Sequence, residues 1–281
     1  MNADEEVLAD PFASAAGTTC AGRTALVVGG GLSGVHGSIG FATAWMLARE
    51  GARIVVADRD ADAGERTCAL IAEAGGWAQL VVGDVTVDGE CARIVKAAAA
   101  VAGRIDALVT TVGRGDLDGI LEVGRTGWDE MLAVNLTVAW DLIRSAADVL
   151  PPGSTIVTTS SGAAGSRGPA TPYNVAKAAL EQLTVGAAAT LAPRGIRVNA
   201  VRVGTIWSTF ASRAFDEATR RARVGMIPLR TEGNVWDIAA ATTFLTGERS
   251  RWITGQVLAV DGGGPMGAPP GHPGAAPEEE D

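Results

Sequence analysis

Short runs of β-branched and apolar residues alternate along this chain with longer Ala- and Leu-rich stretches of helical period. The pattern predicts strands at 24–28, 53–57, 78–82, 107–111, 155–159, 196–201 and 257–260. Between them it predicts helices at 40–50, 61–74, 90–102, 127–150, 173–191 and 235–245. The strand runs are apolar throughout rather than alternating, the mark of a strand buried on both faces. Strands of that kind separated by helices imply an α/β fold, a doubly wound parallel sheet of about seven strands with helices on both faces. No composition break interrupts the pattern, so residues 21–264 read as one domain. Residues 1–20 read as a flexible lead-in. Residues 265–281, PMGAPPGHPGAAPEEED, are rich in Pro, Gly and Ala and then acidic, and read as a disordered tail.

Composition narrows the class. The chain has 281 residues, 47% hydrophobic and 20% charged, enough apolar material for one large core. Its formal charge of −9 is concentrated at the ends. Asp4, Glu5, Glu6 and Asp10 open the chain and Glu278 to Asp281 close it; without these eight the body carries about −1. A near-neutral body offers no broad basic field for nucleic acid. No apolar run approaches the roughly 18 residues of a membrane span. The acidic start does not resemble a signal peptide. Cys20, Cys68 and Cys91 show no Cys-x-x-Cys spacing, and His36 and His272 offer no ligand spacing, so neither a disulfide scaffold nor a metal site is expected. A reduced, cytoplasmic, soluble protein is the expectation.

The first predicted strand runs into Gly29-Gly-Gly-Leu-Ser-Gly-Val-His-Gly-Ser-Ile-Gly40, and a helix follows at once. Glycines there allow a tight turn and the close approach of a pyrophosphate to the helix N-terminus, where free N–H groups favour anions. The second strand ends at Asp58, 18 residues past Gly40. An acid at that spacing accepts hydrogen bonds from the adenosine ribose and repels a 2′-phosphate, which argues for NAD over NADP. Arg59, next door, is a group that can receive such a phosphate, so NADP stays open as the lesser alternative.

The chain holds one Tyr, and it falls in Tyr173-Asn-Val-Ala-Lys177. Residues i and i+4 share a helix face. An ammonium beside a phenol favours the phenolate and so makes Tyr173 a general acid/base. Upstream, the fifth strand ends in Ser160-Ser161. A hydroxyl at a strand's C-terminal end faces the crevice where open α/β sheets bind ligands, and it can polarise a carbonyl.

With these motifs in order, the chain resembles the short-chain dehydrogenase/reductase family over about residues 22–264. The further matching features are Gly83-Asp84-Val85, Gly103-Arg-Ile-Asp106, Asn135 in Met-Leu-Ala-Val-Asn-Leu, Arg197-Val-Asn-Ala-Val, and Ile253-Thr-Gly-Gln-Val-Leu-Ala-Val-Asp-Gly-Gly263. The resemblance implies a Rossmann-type fold and a nicotinamide cofactor. It makes Tyr173 the proton donor or acceptor and has Lys177 lower its pKa and hold the nicotinamide ribose. Either Ser160 or Ser161 would polarise the carbonyl, and Asn135 would position a water linked to Lys177. Gly29, Ser38 and Ile39 would line the phosphate turn, Asp84 and Val85 would touch adenine, and Gly113 would close the end of the fourth strand. Ile206 would hold the carboxamide.

Four departures from the family pattern stand out. The glycine loop spans eleven positions from Gly29 to Gly40 where the family has six, an insertion of five residues, and Val28 replaces the usual Thr. The usual Asn-Asn-Ala-Gly is Thr110-Thr-Val-Gly113. The usual Pro-Gly is Val203-Gly204. The serine is ambiguous: its distance from Tyr173 picks Ser160, whereas aligning the strand picks Ser161, the preferred choice. Ser38-Ile39 in the long loop is similar to the enoyl reductases of the superfamily, which however space Tyr and Lys seven apart.

The expected activity is NAD(H)-dependent interconversion of a secondary alcohol and a ketone. Trp207, Phe210 and Phe215 after the sixth strand point to a small apolar or cyclic substrate. Arg220-Arg-Ala-Arg223 reads as a solvated helix face, with contact to an anionic group as the alternative. Trp128, Trp140 and Trp236 read as packing or interface residues. The other readings are a dinucleotide-binding sensor that keeps the fold without the chemistry, and an enoyl reductase. The family implies a homotetramer or dimer; neither a nucleic-acid nor a membrane partner is expected.

Overall fold

The computed structural model describes residues 19–115, 118–166, 168–212 and 216–264. Residues 1–18 of the expected lead-in, the acidic tail, His272 and Phe215 lie outside the described residues; Thr19 and Cys20, read as part of that lead-in, are instead packed on the domain, Cys20 in the core and Thr19 donating to Glu50.

Seven parallel strands form one sheet: β1 (Thr24–Val28), β2 (Arg53–Asp58), β3 (Ala78–Val82), β4 (Ala107–Thr110), β5 (Thr155–Ser161), β6 (Arg197–Val203) and β7 (Val257–Val260). Their order is β3-β2-β1-β4-β5-β6-β7. The register sets Val28 beside Ala57 on one side and Thr110 on the other. The strand order reverses between β1 and β4, which opens a crevice at their C-terminal ends, where such sheets bind ligands.

Helices cover both faces. α1 (Ile39–Arg49), α2 (Ala61–Glu73) and α9 (Val235–Thr246) lie on one face; α3 (Glu90–Ala102), α5 (Val138–Ala147) and α6 (Pro172–Leu191) lie on the other. The remaining helices, α4 (Arg125–Leu132), α7 (Thr209–Ser212) and α8 (Glu217–Gly225), border the crevice. Successive residues of a strand point to opposite faces, so Ala25 and Val27 pack under α1 while Leu26 and Val28 pack under α3 and α5. Every residue of β1 is buried, which is why its sequence shows no alternation. On the α1 side Phe41 is fully buried and meets Trp236 edge-on, with ring centroids 6.0 Å apart. Trp236 is thus a core residue.

Three boundaries differ from the sequence expectation in ways that bear on the site. The stretch read as one helix over 127–150 is two helices joined by a π-turn, Ala133–Thr137. β5 runs two residues further, through Ser161, because Ser160 and Ser161 continue to pair with Arg202 and Val203 of β6. β4 stops at Thr110; Thr111 leaves the ladder and its hydroxyl donates to the carbonyls of Val28 and Gly29, each at 3.1 Å.

Candidate active site

A cleft of about 2050 Å³ runs across the C-terminal ends of the strands. One half is lined by Gly29, Ser38, Ile39, Asp58, Asp84, Val85 and Gly113, the other by Ser161, Tyr173, Lys177, Ile206 and Phe210.

The first half is built on glycines that admit no substitute. Gly29 turns the chain at φ +80°, and a Cβ on Gly40 would stand 2.0 Å from the Gly29 carbonyl oxygen. The start of α1 therefore presses directly on the turn after β1. Ser38 caps that helix: its hydroxyl accepts from Phe41 N at 3.1 Å and donates to Gly31 O at 2.9 Å. This capping satisfies one N–H of the first turn, and Ser38, Ile39 and Gly40 line the cleft at a helix N-terminus, the kind of place that suits a phosphate. Asp58, ending β2, accepts from Gly31 N at 2.8 Å through Oδ2. A Cβ on Gly31 would lie 2.7 Å from that oxygen. Asp84 accepts from the Thr86 N–H and hydroxyl at 2.9 and 2.7 Å, and these bonds hold its carboxyl below the usual carboxylate range. Arg59 leans toward Asp84 at 3.7 Å. The donor set of a helix N-terminus, a ribose-distance acid and the apolar Val85 fits a dinucleotide.

The second half gathers the candidate catalytic groups. Thr171 caps α6, accepting from Asn174 N at 3.2 Å, and Pro172 fills the first helical position. Tyr173 and Lys177 follow on one face. Lys177 is buried, and its ammonium donates to Thr159 O at 2.9 Å and sits 5.7 Å from the Tyr173 ring centroid. Burial lowers its pKa to about 8. For Tyr173 the outcome differs from the expectation of an acidified phenol. Burial pushes its pKa above the ordinary 10, and a hydrogen bond from Ser161 offsets that only in part. In the protein by itself, loss of hydration outweighs the Ser161 hydrogen bond.

The two serines part company. The Ser160 hydroxyl is 2% exposed and donates to Glu181 Oε1 at 2.8 Å. Glu181 also receives Arg202 through both oxygens, at 2.8 and 2.6 Å. Ser161 is the one that meets Tyr173, and it caps the 3₁₀ turn Gly162–Gly165 by accepting from Ala163 N. Strand alternation explains the split: adjacent residues of β5 face opposite ways. Both serines line the cleft, Ser160 with its hydroxyl engaged by Glu181 and Ser161 with its own beside Tyr173.

Asn135 lies in the π-turn and is 1% exposed. Its side chain grips Arg114 on both sides, accepting from N at 3.3 Å and donating to O at 2.8 Å, and it also donates to Met131 O at 3.1 Å. A Cβ on Gly113 would come within 3.0 Å of Asn135 Oδ1 and 3.4 Å of Lys177 Nζ. Gly113 thus lets the chain after β4 run between these two side chains. Ile206 is buried in the cleft wall and pairs with Gly233 in an isolated parallel bridge. The stretch 127–150 reads as one helix, and its periodicity does not single out the π-turn.

The inserted glycine loop also has partners that sequence reading did not find. Thr209 on α7 donates from its hydroxyl to Ser33 O at 2.8 Å and from its N–H to Gly37 O at 3.2 Å. Gly34, at φ +64°, sits so close that a Cβ would lie 2.5 Å from the Thr209 side chain. His36 is exposed and meets Trp207 edge-on at 5.8 Å. The loop is therefore tied to α7, which carries Phe210 of the other half of the cleft. Among the described residues no group of three or more His, Cys, Asp or Glu is placed to hold a metal ion, and no helix is long and apolar enough to cross a membrane.

Known proteins place this geometry. A family model described as Enoyl-(Acyl carrier protein) reductase matches residues 34–264. The chain is 32% identical over 249 residues to the uncharacterized oxidoreductase YgcW of Escherichia coli, covering 86% of this chain and 92% of that protein. It is 31% identical over 241 residues to 2-(S)-hydroxypropyl-CoM dehydrogenase 3 of Xanthobacter autotrophicus, covering 83% and 94%. A crystal structure of a short-chain dehydrogenase/reductase from Burkholderia xenovorans superposes with a TM-score of 0.82 at 31% identity, over 89% of this chain and 98% of that one. Dehydrogenases of this kind use nicotinamide dinucleotides and act on small molecules. The chain is a member of the short-chain dehydrogenase/reductase family of oxidoreductases.

Proposed function

We propose that this protein is an NAD(H)-dependent oxidoreductase that interconverts a secondary alcohol and a ketone on a small, largely apolar substrate. The observation that carries the reading is the convergence of Ser161, Tyr173 and Lys177 at one end of the cleft, with the buried Asn135 across Gly113 from Lys177. A nicotinamide bound there supplies the hydride acceptor or donor. Ser161 donates to the substrate oxygen and orients it. Tyr173 moves the proton at that oxygen. Its raised pKa keeps the phenol protonated at neutral pH, so in the protein by itself it is set up as an acid, the role ketone reduction needs. Lys177 carries positive charge below about pH 8, beside the oxygen that becomes negative when the proton leaves. Asn135 holds the Arg114 backbone and so fixes the cleft wall next to Lys177.

NAD rather than NADP is supported by Asp58 at the end of β2 and by Arg59, which leans onto Asp84. The small apolar substrate is supported by Phe210, Met226 and Ile227 in the cleft wall. Assembly as a dimer or tetramer is supported by exposed Trp140, Val175 and Val185 on α5 and α6. The test is oxidation of NADH and NADPH, measured side by side against a panel of ketones. Turnover with NADH and failure of Tyr173→Phe to turn over supports the assignment; no oxidation with any ketone removes it and favours a dinucleotide sensor. The family model's printed description and the long glycine loop favour one second reading, reduction of a conjugated alkene. Activity on alkenes and not on ketones would establish that reading instead.

A further inference from the structure

Gly115 has no side chain, and the ring of Phe210 takes up the space. A Cβ on Gly115 would stand 2.8 Å from Phe210 Cζ and 3.3 Å from Cε1, so the tip of the ring rests against this glycine. The backbone at Gly115 is not left-handed, so its conformation does not call for glycine; the seat for the ring does. The sheet order gives the contact its meaning. β5 lies between β4 and β6, and Ser161 stands at its C-terminal end. Gly115 belongs to the chain leaving β4 and Phe210 to the chain leaving β6, so the two segments meet across the end of β5. Gly115, Phe210, Ser161 and Tyr173 all line the cleft. We propose that Gly115 sets the size limit of the substrate: it seats the Phe210 ring across the end of β5, and the closed ring admits ketones with one short arm and turns away isomers with two long ones.

The ring does not hold this position alone. Thr209, its neighbour, donates from its hydroxyl to Ser33 O at 2.8 Å and from its N–H to Gly37 O at 3.2 Å, and Ala211 on the other side is buried. Phe210 itself is 50% exposed while lining the cleft, as suits a side chain that stands between a chamber and solvent. A ketone held by its oxygen at Ser161 and Tyr173 sends two arms from the carbonyl carbon. One has the apolar wall of Met226 and Ile227 to run along; the other meets the ring. Packed contacts resist added volume, and a single methylene in such a pocket changes discrimination by about tenfold or more. A methyl on Gly115 would displace only the tip of a side chain with two rotatable bonds, and with substrate inside, the room for it is toward solvent. This inference rests on the proposed oxidoreductase reading, and it names the substrate class within it.

Binding and turnover separate the two claims. 2-, 3- and 4-heptanone share one formula and differ only in where the carbonyl sits, so the shorter arm grows from methyl to propyl at constant apolar content. With NADH present, the affinity of each is measured by calorimetry and its turnover by nicotinamide absorbance. 4-Heptanone is expected to bind at least about tenfold more weakly than 2-heptanone. Gly115→Ala, which unseats the ring, and Phe210→Ala, which removes it, should each bring that ratio to near one. Thr209→Val, which loses the hydroxyl bond to Ser33 and keeps the N–H bond to Gly37, should fall between. Leu229→Ala, exposed and outside the cleft lining, should keep the ratio. Equal binding of the three isomers, failure of all three to bind, or discrimination that survives either Gly115→Ala or Phe210→Ala in a protein folded by circular dichroism overturns the inference. Discrimination in binding that follows these variants, without turnover by either nicotinamide, leaves the size limit standing and removes the ketone chemistry instead.

Discussion

Replacing Lys177 by Met should make the nucleotide-free protein more stable at neutral pH while abolishing its activity. The ammonium is buried, and its pKa falls from the ordinary 10.5 to about 8. At about 1.4 kcal/mol for each tenfold change in proton affinity, the folded state forgoes about 3 kcal/mol by holding that charge. Met removes the penalty but leaves Thr159 O without its donor, a loss of about 1 kcal/mol. The variant should therefore gain about 2 kcal/mol at pH 7. The sign with pH follows from linkage. Between about pH 8 and 10.5 the unfolded chain keeps a proton at this position that the folded chain has released, so wild-type stability rises there relative to the variant. The two curves should cross just below about pH 10, with the variant about 1 kcal/mol less stable beyond it. Urea unfolding of both proteins without nucleotide, from pH 7 to 10.5, measures the gap directly, and titrations common to both cancel. A variant less stable at pH 7, or a gap that does not change with pH, refutes the reasoning.

Other consequences can be checked in the same way. Tyr173→Phe should lower kcat by at least about a hundredfold, the scale of a lost acid/base group, with NADH affinity retained by fluorescence titration. Ser161→Ala should cost turnover on that same scale, whereas Ser160→Ala should leave turnover near normal and lower the unfolding midpoint by the loss of one hydrogen bond to a buried carboxylate, about 1.5–3 kcal/mol. Equal effects of the two serines on kcat would contradict the assignment. Asp58→Ala should weaken NAD and relax discrimination against NADP; an unchanged preference in side-by-side KM measurements would show that the ribose is held elsewhere. Gly40→Ala places a Cβ 2.0 Å from backbone oxygen, so dinucleotide binding should be lost even where circular dichroism shows a folded protein.

Much of the frame was readable in advance because its signals are local. A strand buried on both faces writes itself as a continuous apolar run, as in Thr24–Val28, and a glycine that must accept positive φ or a close carbonyl leaves no alternative residue. Tyr173 and Lys177 stood out because their types are rare in this chain and their spacing is helical. What escaped was set by contacts distant in sequence. The choice between Ser160 and Ser161 depends on Glu181, twenty-one positions from Ser160, and on where β5 ends against β6. The acidity of Tyr173 depends on burial, which no spacing reports. Arg220, Arg221 and Arg223 look alike in the sequence, and only the docking of α8 on the cleft tells them apart. Asn135 was found through its motif, but the π-turn that carries it was not.

The bridge from Ser33 and Gly37 to Thr209 makes two traits heritable as one. In a scaffold whose glycine turn and α7 were separate, either part could be exchanged between relatives without consulting the other. Here Gly34 is fitted to Thr209, so a shorter turn grafted from a cousin would strip a wall from the opposite chamber. Changes within residues 29–40 should therefore be read out at Thr209 as well, and a library that varies both segments together keeps a contact that one varying either alone would break.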